Sequence, residues 1–240
     1  MKNKRFKLGE VKTFNKFWFG SCYYHQLYSA VSCIGGNVDE VLLLNLSVPQ
    51  GNFDSKKVVS EINATAFVDY RTKHCNITER KLLKLIAKGI PVIAGVDCYE
   101  MKERTDYYHK THCRHFVMVY GFDFEKKIFN IVDHNYLNDY MFREKEMPFD
   151  ELILANRSYR ECLCVGYMTS CMRVIKNKRA SEEEFYKFIL NKDTLLRGFK
   201  FLFEDLERLK TCLVNNDFNF LLTNADRLIS FFTAMKESAD

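Results

Sequence analysis

Apolar residues in the front part of the chain recur at the spacing of amphipathic helices. We predict a first helix from Cys22 to Ile34, where the apolar residues share one face, and the pair Gly35-Gly36 ends it. A second helix is predicted over Leu82–Ile86, with Thr78 as its N-cap and Gly89 as its stop. Each of these helices should pack one face against a core.

After the second helix, the pattern changes to short apolar or alternating runs with β-branched and aromatic residues. Strands are predicted over Ile90–Val96, His115–Gly121 and Lys127–Asp133, and a fourth over Cys162–Val174. The first three follow one another along the chain. A helix, then strands, then a helical tail indicate a segregated α+β fold, not an alternating parallel one.

The last sixty residues have helical periodicity, and Ser181-Glu182-Glu183-Glu184 at their start fits a capping box. We therefore divide the chain into an α+β domain, residues 1–178, and a helical extension, residues 179–240. The extension is rich in Phe and Leu on more than one face. We expect it to pack on the first domain or on a second copy of the chain in a homodimer.

The composition is that of a folded protein with a sizeable core, because 47% of the 240 residues are hydrophobic and 28% are charged. No apolar run approaches the roughly 18 to 20 residues of a membrane-spanning helix. The nine cysteines are an odd number, and the basic N-terminus lacks the apolar stretch of a secretory signal. We therefore expect a cytoplasmic protein with free thiols and no membrane partner.

The charge is unevenly distributed. Residues 1–180 carry a net charge of +8, whereas residues 181–240 carry −3. The positive part favours an anionic partner. There is no dense basic cluster and no recognisable nucleic-acid-binding motif, so we do not expect that partner to be DNA or RNA.

Three residues together suggest nucleophilic catalysis. Cys22 lies at the predicted start of the first helix, where the thiolate form of a cysteine is favoured. Gly20 just before it allows close backbone approach, so the Cys22 amide could stabilise an oxyanion. His115 begins one predicted strand and Asp133 ends the next, and antiparallel pairing would bring them together. Cys22, His115 and Asp133 are thus candidates for nucleophile, base and orienting carboxylate.

Other polar residues near these strands allow two interpretations. Asp97 and Tyr99 could line a pocket for an amine, or could form a strand-end hydrogen bond and a packed aromatic contact. His112 belongs to a His-rich loop that could line a substrate entrance.

Residue types that bind zinc also occur in this region. They are His109, His112, Cys113, His115, Cys162 and Cys164. Their spacing lacks the paired motifs typical of zinc sites, and we expect no bound metal.

Three segments carry a resemblance to a known family: Gly89–Met101, His112–Asp123 and Ile131–Asp133. They resemble the papain-like cysteine acyltransferases of antibiotic pathways, whose prototype acts in butirosin biosynthesis. The resemblance implies a papain-like fold for residues 1–178 and a Cys22, His115 and Asp133 triad. It also implies transfer of an acyl or peptidyl group from the phosphopantetheine arm of a carrier protein to a small amine, with no cofactor bound directly.

The chain departs from the peptidases related to this family. They usually place an oxyanion-stabilising Gln shortly before the cysteine, whereas no Gln occurs between Met1 and Cys22. Asn15 or the Cys22 backbone amide is then the expected oxyanion donor. This weakens a peptidase assignment more than an acyltransferase assignment. A cysteine peptidase or amidase with the same triad, and a non-catalytic zinc-binding module, remain the alternatives.

Overall fold

The computed structural model describes residues 4–15, 22–38, 41, 70–134, 141–164 and 171–177. The elements in these ranges are β1 (Arg5–Lys7), α1 (Cys22–Cys33), β2 (Tyr70–His74), α2 (Glu79–Ile86), β3 (Val92–Asp97), β4 (Arg114–Asp123), β5 (Ile128–His134), β6 (Phe142–Pro148), α3 (Phe149–Ser158) and β7 (Cys171–Lys176). A short 3₁₀ turn, Cys98–Glu100, follows β3, and a π-helical turn, Tyr159–Leu163, follows α3.

The seven strands form one antiparallel sheet. Its order is β2-β7-β3-β4-β5-β6, and β1 pairs with the far end of β4. Strands β3 to β6 are neighbours in the sheet and consecutive in the chain. The described residues thus form an α+β fold with an antiparallel sheet, which confirms that part of the sequence prediction.

The central strand β4 is covered on both faces. Phe116, Met118 and Tyr120 face the core that includes α1. Val117 and Val119 face a second core that includes α2 and α3. Because successive side chains of a strand point to opposite faces, this alternation places one helical layer on each side of the sheet. The start of β4 is thereby held between two packed layers.

Close approach of β1 to β4 depends on Gly121. A Cβ atom there would lie 2.8 Å from the Phe6 carbonyl oxygen and 2.8 Å from Asn130 Oδ1. Both distances are shorter than van der Waals contact. A residue without a side chain is therefore required where β1 crosses the end of β4.

The predicted helices agree with the structure. Helix α1 ends before Gly35, which has a φ of +64°, and the N–H of Gly36 bonds to the carbonyl oxygen of Val31. Helix α2 begins after Thr78, whose hydroxyl accepts a hydrogen bond from the Lys81 N–H. No helix in the described ranges is long and apolar enough to cross a bilayer.

The predicted strands agree in part. The first three correspond to β3, β4 and β5 within one or two residues at most boundaries. The fourth, over Cys162–Val174, is wrong at its start, because Cys162 lies in the π-helical turn that follows α3, whereas the end of the predicted strand lies in β7. The extension, residues 179–240, and its boundary lie outside the described residues.

Candidate active site

Helix α1 places Cys22 beside the start of β4. The Tyr23 ring meets the Phe116 ring edge to face, with centroids 5.7 Å apart. One turn further along, the Gln26 Nε2 donates a hydrogen bond of 3.1 Å to the Phe116 carbonyl oxygen. These contacts fix the first turn of α1 against the residue that follows His115.

His115 and Asp133 lie together on neighbouring strands. The His115 Nε2 is 2.7 Å from Asp133 Oδ1, and both side chains are buried. The same carboxylate oxygen accepts the backbone N–H of His134 at 2.8 Å. Asp133 is thereby oriented by its own strand as well as by the imidazole, and antiparallel pairing of β4 with β5 brings the two residues together as predicted.

The Cys22 side chain lies close enough to the His115 ring to influence its pKa. Since Nε2 faces Asp133, the other ring nitrogen is the one available to the sulfur. Burial alone would lower the pKa of His115, but the Asp133 carboxylate and, to a lesser extent, the Cys22 side chain raise that pKa to about 10. A pKa of about 10 favours a protonated imidazole at neutral pH, with the Asp133 carboxylate and the Cys22 sulfur as its neighbours.

A second buried histidine lies next to this group. The His25 Nδ1 lies 3.1 Å from the Phe14 carbonyl oxygen and donates to it, and the His25 ring stacks on Phe142 at 4.2 Å. Burial lowers the pKa of His25 to about 3; the Phe14 carbonyl opposes this effect and nearby His134 adds to it. His25 is thus a neutral ring that packs α1 against the N-terminal segment and β6.

Asn15 joins the N-terminal segment to β6. Its Oδ1 accepts the Phe142 N–H at 2.7 Å, and its Nδ2 donates to the Phe142 carbonyl oxygen at 3.0 Å and to Thr13 Oγ1 at 3.2 Å. Both amide hydrogens are therefore already bonded. This geometry favours a structural role for Asn15 and makes the Cys22 backbone amide the better oxyanion candidate.

Asp97 is buried at the end of β3 and accepts four hydrogen bonds. The donors are the Tyr99 N–H at 3.0 Å, the Cys113 N–H at 3.1 Å, Ser158 Oγ at 2.8 Å and His112 Nδ1 at 2.5 Å. Burial alone would raise the pKa of Asp97, but these bonds outweigh it and lower the pKa. Asp97 thus organises the loop before β4, and its predicted role in binding a substrate amine stays a prediction.

Tyr99 and His112 form part of a ring stack at this end of the sheet. Their centroids lie 4.5 Å apart at 21°, and the His112 side chain is 44% exposed. His109 stacks between Tyr108 and Tyr99. The substrate-binding role of Tyr99 and His112 stays a prediction. Their exposure and their position near β4 are compatible with it.

Cys113 is a second thiol with an unusual environment, and the sequence did not single it out beyond its place among the possible zinc ligands. Contact with the Cys98 thiol lowers the pKa of Cys113 to about 6; burial opposes the shift, and Tyr107, Arg104 and His115 contribute to it. The Cys98 N–H donates to the Cys113 carbonyl oxygen at 2.9 Å, which continues the β3–β4 register beyond its last pair. The pairing of Cys98 with Cys113 across β3 and β4 is the feature from which the sequence could have indicated this thiol. All eight cysteines in the described ranges are free thiols.

Two side-chain groups in the described ranges combine potential metal ligands within 4.8 Å of one another. One comprises His115, Asp133 and His134, and so overlaps the candidate triad. The other comprises Asp97, His112 and Cys162.

Comparison with known proteins gives one family match. Residues 38–134 match the family model described as "Butirosin biosynthesis protein H, N-terminal". The matched range is less than half of the chain; it includes His115 and Asp133, and Cys22 precedes it. No curated protein matches the chain. The match supports the resemblance to the butirosin-type acyltransferases.

Proposed function

We propose that the protein is a papain-like cysteine acyltransferase of antibiotic biosynthesis. Cys22 acts as nucleophile, His115 as general acid and base, and Asp133 as the group that orients the imidazole. The observation that carries this proposal is one buried imidazole that hydrogen-bonds to Asp133 and lies near enough to Cys22 for that residue to shift its pKa. The family match over residues 38–134 supports the biosynthetic context.

In the first half-reaction, the Cys22 thiolate attacks the carbonyl carbon of an acyl thioester on the phosphopantetheine arm of a carrier protein. The Cys22 N–H lies in the first turn of α1, where backbone donors have no acceptor within the helix, and it stabilises the oxyanion. The carbon–sulfur bond to the arm then breaks, and the His115 imidazolium donates its proton to the departing thiolate. The products are an acyl-Cys22 thioester and a free carrier thiol.

In the second half-reaction, a small amine attacks the acyl-Cys22 carbonyl. Neutral His115 takes a proton from the amine nitrogen as the new carbon–nitrogen bond forms. Cys22 leaves as a thiolate, and His115 is again the imidazolium. Conversion of a thioester to an amide is downhill, so the cycle needs no nucleotide.

The proposed donor partner is an acyl or peptidyl carrier protein. Carrier proteins are generally acidic, and the net charge of +8 on residues 1–180 is suited to docking such a partner. The specific pathway that we propose is closthioamide assembly, because this Lys-, Asn- and Phe-rich chain resembles a member of the family that acts there.

A peptidase or amidase is the second candidate, because the same triad geometry supports hydrolysis. The two functions differ only in the nucleophile that resolves the acyl-enzyme, an amine or water.

Intact-mass analysis tests the proposal. The full-length protein is mixed with acyl-loaded carrier proteins, and the expected result is one acyl adduct on Cys22 that added amines clear much faster than water. Cys22→Ala should abolish the adduct. Cys113→Ala is the matched control, since it removes the other polarised thiol near His115 and should leave the adduct intact. An adduct that survives Cys22→Ala would overturn the triad, and clearance by water alone would favour hydrolysis.

A further inference from the structure

Three potential metal ligands converge next to the start of β4, outside the candidate triad. Asp97 lies at the end of β3, His112 lies in the loop that precedes β4, and Cys162 lies in the π-helical turn after α3. Their ligand atoms all lie within 4.8 Å of one another. Three elements separated along the chain thus supply a carboxylate, an imidazole and a thiol to one place.

The carboxylate of this cluster is held in a fixed orientation. Asp97 Oδ1 accepts the backbone N–H groups of Tyr99 and Cys113, and Asp97 Oδ2 accepts the Ser158 hydroxyl. The remaining contact of Oδ2 is the 2.5 Å hydrogen bond with His112 Nδ1. A cation that replaces the proton of this last bond would keep the other three bonds, which then act as supports of the ligand.

The imidazole is also restrained, and the site is accessible. The His112 ring stacks on Tyr99 with centroids 4.5 Å apart. Its side chain is 44% exposed, and Cys162 is exposed as well. The Asp97 side chain is fully buried, so an ion would reach it through the two exposed ligands.

We propose that Asp97, His112 and Cys162 bind a zinc ion. Nitrogen, oxygen and thiolate ligands together suit zinc, whereas magnesium and calcium prefer oxygen alone. Three protein ligands leave a further position for water or another small ligand. On binding, Cys162 loses its thiol proton to solvent, and a neutral His112 ring moves its single proton from Nδ1 to Nε2.

This metal would join the elements around the start of the strand that carries His115. His112 is three residues before His115, and Asp97 pairs with Arg114 in the β3–β4 register. We expect bound zinc to raise the thermal unfolding temperature of the protein, because the ion binds the folded arrangement of three distant segments. This readout does not depend on acyl transfer.

Titration of the reduced, full-length protein with cobalt(II), followed by displacement with zinc, tests the proposal. A cobalt–thiolate charge-transfer band should appear and saturate at one equivalent. It should persist in Cys22→Ser and Cys164→Ser, and disappear in Cys162→Ser. Cys164 is the matched control because it lies two residues further along the same segment.

Further variants test the other ligands. His112→Ala should remove saturable zinc binding, whereas His109→Ala should retain it. Ser158→Ala keeps all three ligands but removes one support of Asp97, and should weaken zinc affinity about 10-fold. The proposal would be overturned by the absence of a saturable band, by a band that persists in Cys162→Ser, or by a band lost only in Cys22→Ser, which would place the metal at the triad.

Discussion

His115 Nε2 and Asp133 Oδ1 lie 2.7 Å apart, across two neighbouring antiparallel strands and out of contact with solvent. A buried imidazolium needs a counter-charge, and Asp133 provides one at hydrogen-bonding distance. The same contact fixes which ring nitrogen is left for Cys22. Orientation and charge of the proposed base thus depend on one carboxylate.

Replacement of that carboxylate by an amide should impair acylation. In Asp133→Asn the ring loses its counter-charge and its fixed tautomer, so we expect the rate of acyl-Cys22 formation to fall about 100-fold or more. Single-turnover mass spectrometry with acyl-loaded carrier protein measures this rate. Asp150→Asn, which changes an exposed carboxylate at the start of α3, is the control and should react at the wild-type rate. Equal rates for both variants would exclude Asp133 from the mechanism.

Stability at alkaline pH should depend on His115. Its pKa is about 10 in the folded state and 6.5 in an unperturbed chain, so its contribution is complete below pH 6.5 and is lost as the pH rises towards 10. Urea denaturation measures the free energy of unfolding at pH 6.5 and at pH 8.5. Its decrease between the two should be about 2 kcal/mol larger for the wild type than for His115→Gln. The pKa of Cys113 is lowered on folding, so its contribution to stability increases over this pH range. For this reason the measurement compares the change in the wild type with the change in His115→Gln. A zero difference would contradict the raised pKa of His115.

Stability at acid pH should depend on His25. The pKa of His25 falls to about 3 on folding, so between pH 6.5 and pH 3 the unfolded chain binds a proton at this residue and the folded protein does not. Stability therefore decreases as the pH falls through this range. His25→Gln can still donate to the Phe14 carbonyl but cannot gain a charge. Its free energy of unfolding should decrease about 2 kcal/mol less than that of the wild type between pH 6 and pH 4. Parallel curves for the two proteins would show that His25 is not the group responsible.

The approach of β1 to β4 should not tolerate a side chain at residue 121. Gly121→Ala places a methyl group 2.8 Å from the Phe6 carbonyl oxygen, and we expect it to cost about 1 to 3 kcal/mol of stability. Gly9→Ala is the matched control, because a Cβ atom at Gly9 has no neighbour within 4 Å. Urea denaturation of both variants provides the comparison. Equal stability of the two would mean that β1 does not pack against β4 as described.

The sequence was sufficient to predict the elements that carry strong local patterns. Helices α1 and α2 and strands β3 to β5 have regular apolar spacing or dense β-branched runs, and the pairing of His115 with Asp133 followed from two adjacent strand ends. Strands β1, β2 and β6 were missed. These strands are short or polar, and only some of their residues are buried. They are therefore stabilised mainly by pairing with a neighbour: β1 with β4, β2 with β7, and β6 with β5.

The sequence was less informative about contacts between distant segments. Asp97 and Ser158 lie far apart in the chain, and the bond between them appears only once α3 packs on β3. The same packing brings Cys162 to His112. Local periodicity does not indicate such contacts. For this reason the sequence left both a pocket role and a strand-end hydrogen bond open for Asp97, and did not indicate its four donors.

The antiparallel arrangement of β4 and β5 has a consequence for the order of folding. His115 and Asp133 come together through the short connection of residues 124–127, whereas Cys22 reaches them from roughly ninety residues away along the chain. Short-range hairpins form sooner than long-range contacts. We expect the base and its carboxylate to be assembled before α1 docks. The proposed nucleophile would then meet its proposed base only in the finished fold, so an incompletely folded chain should lack the assembled triad.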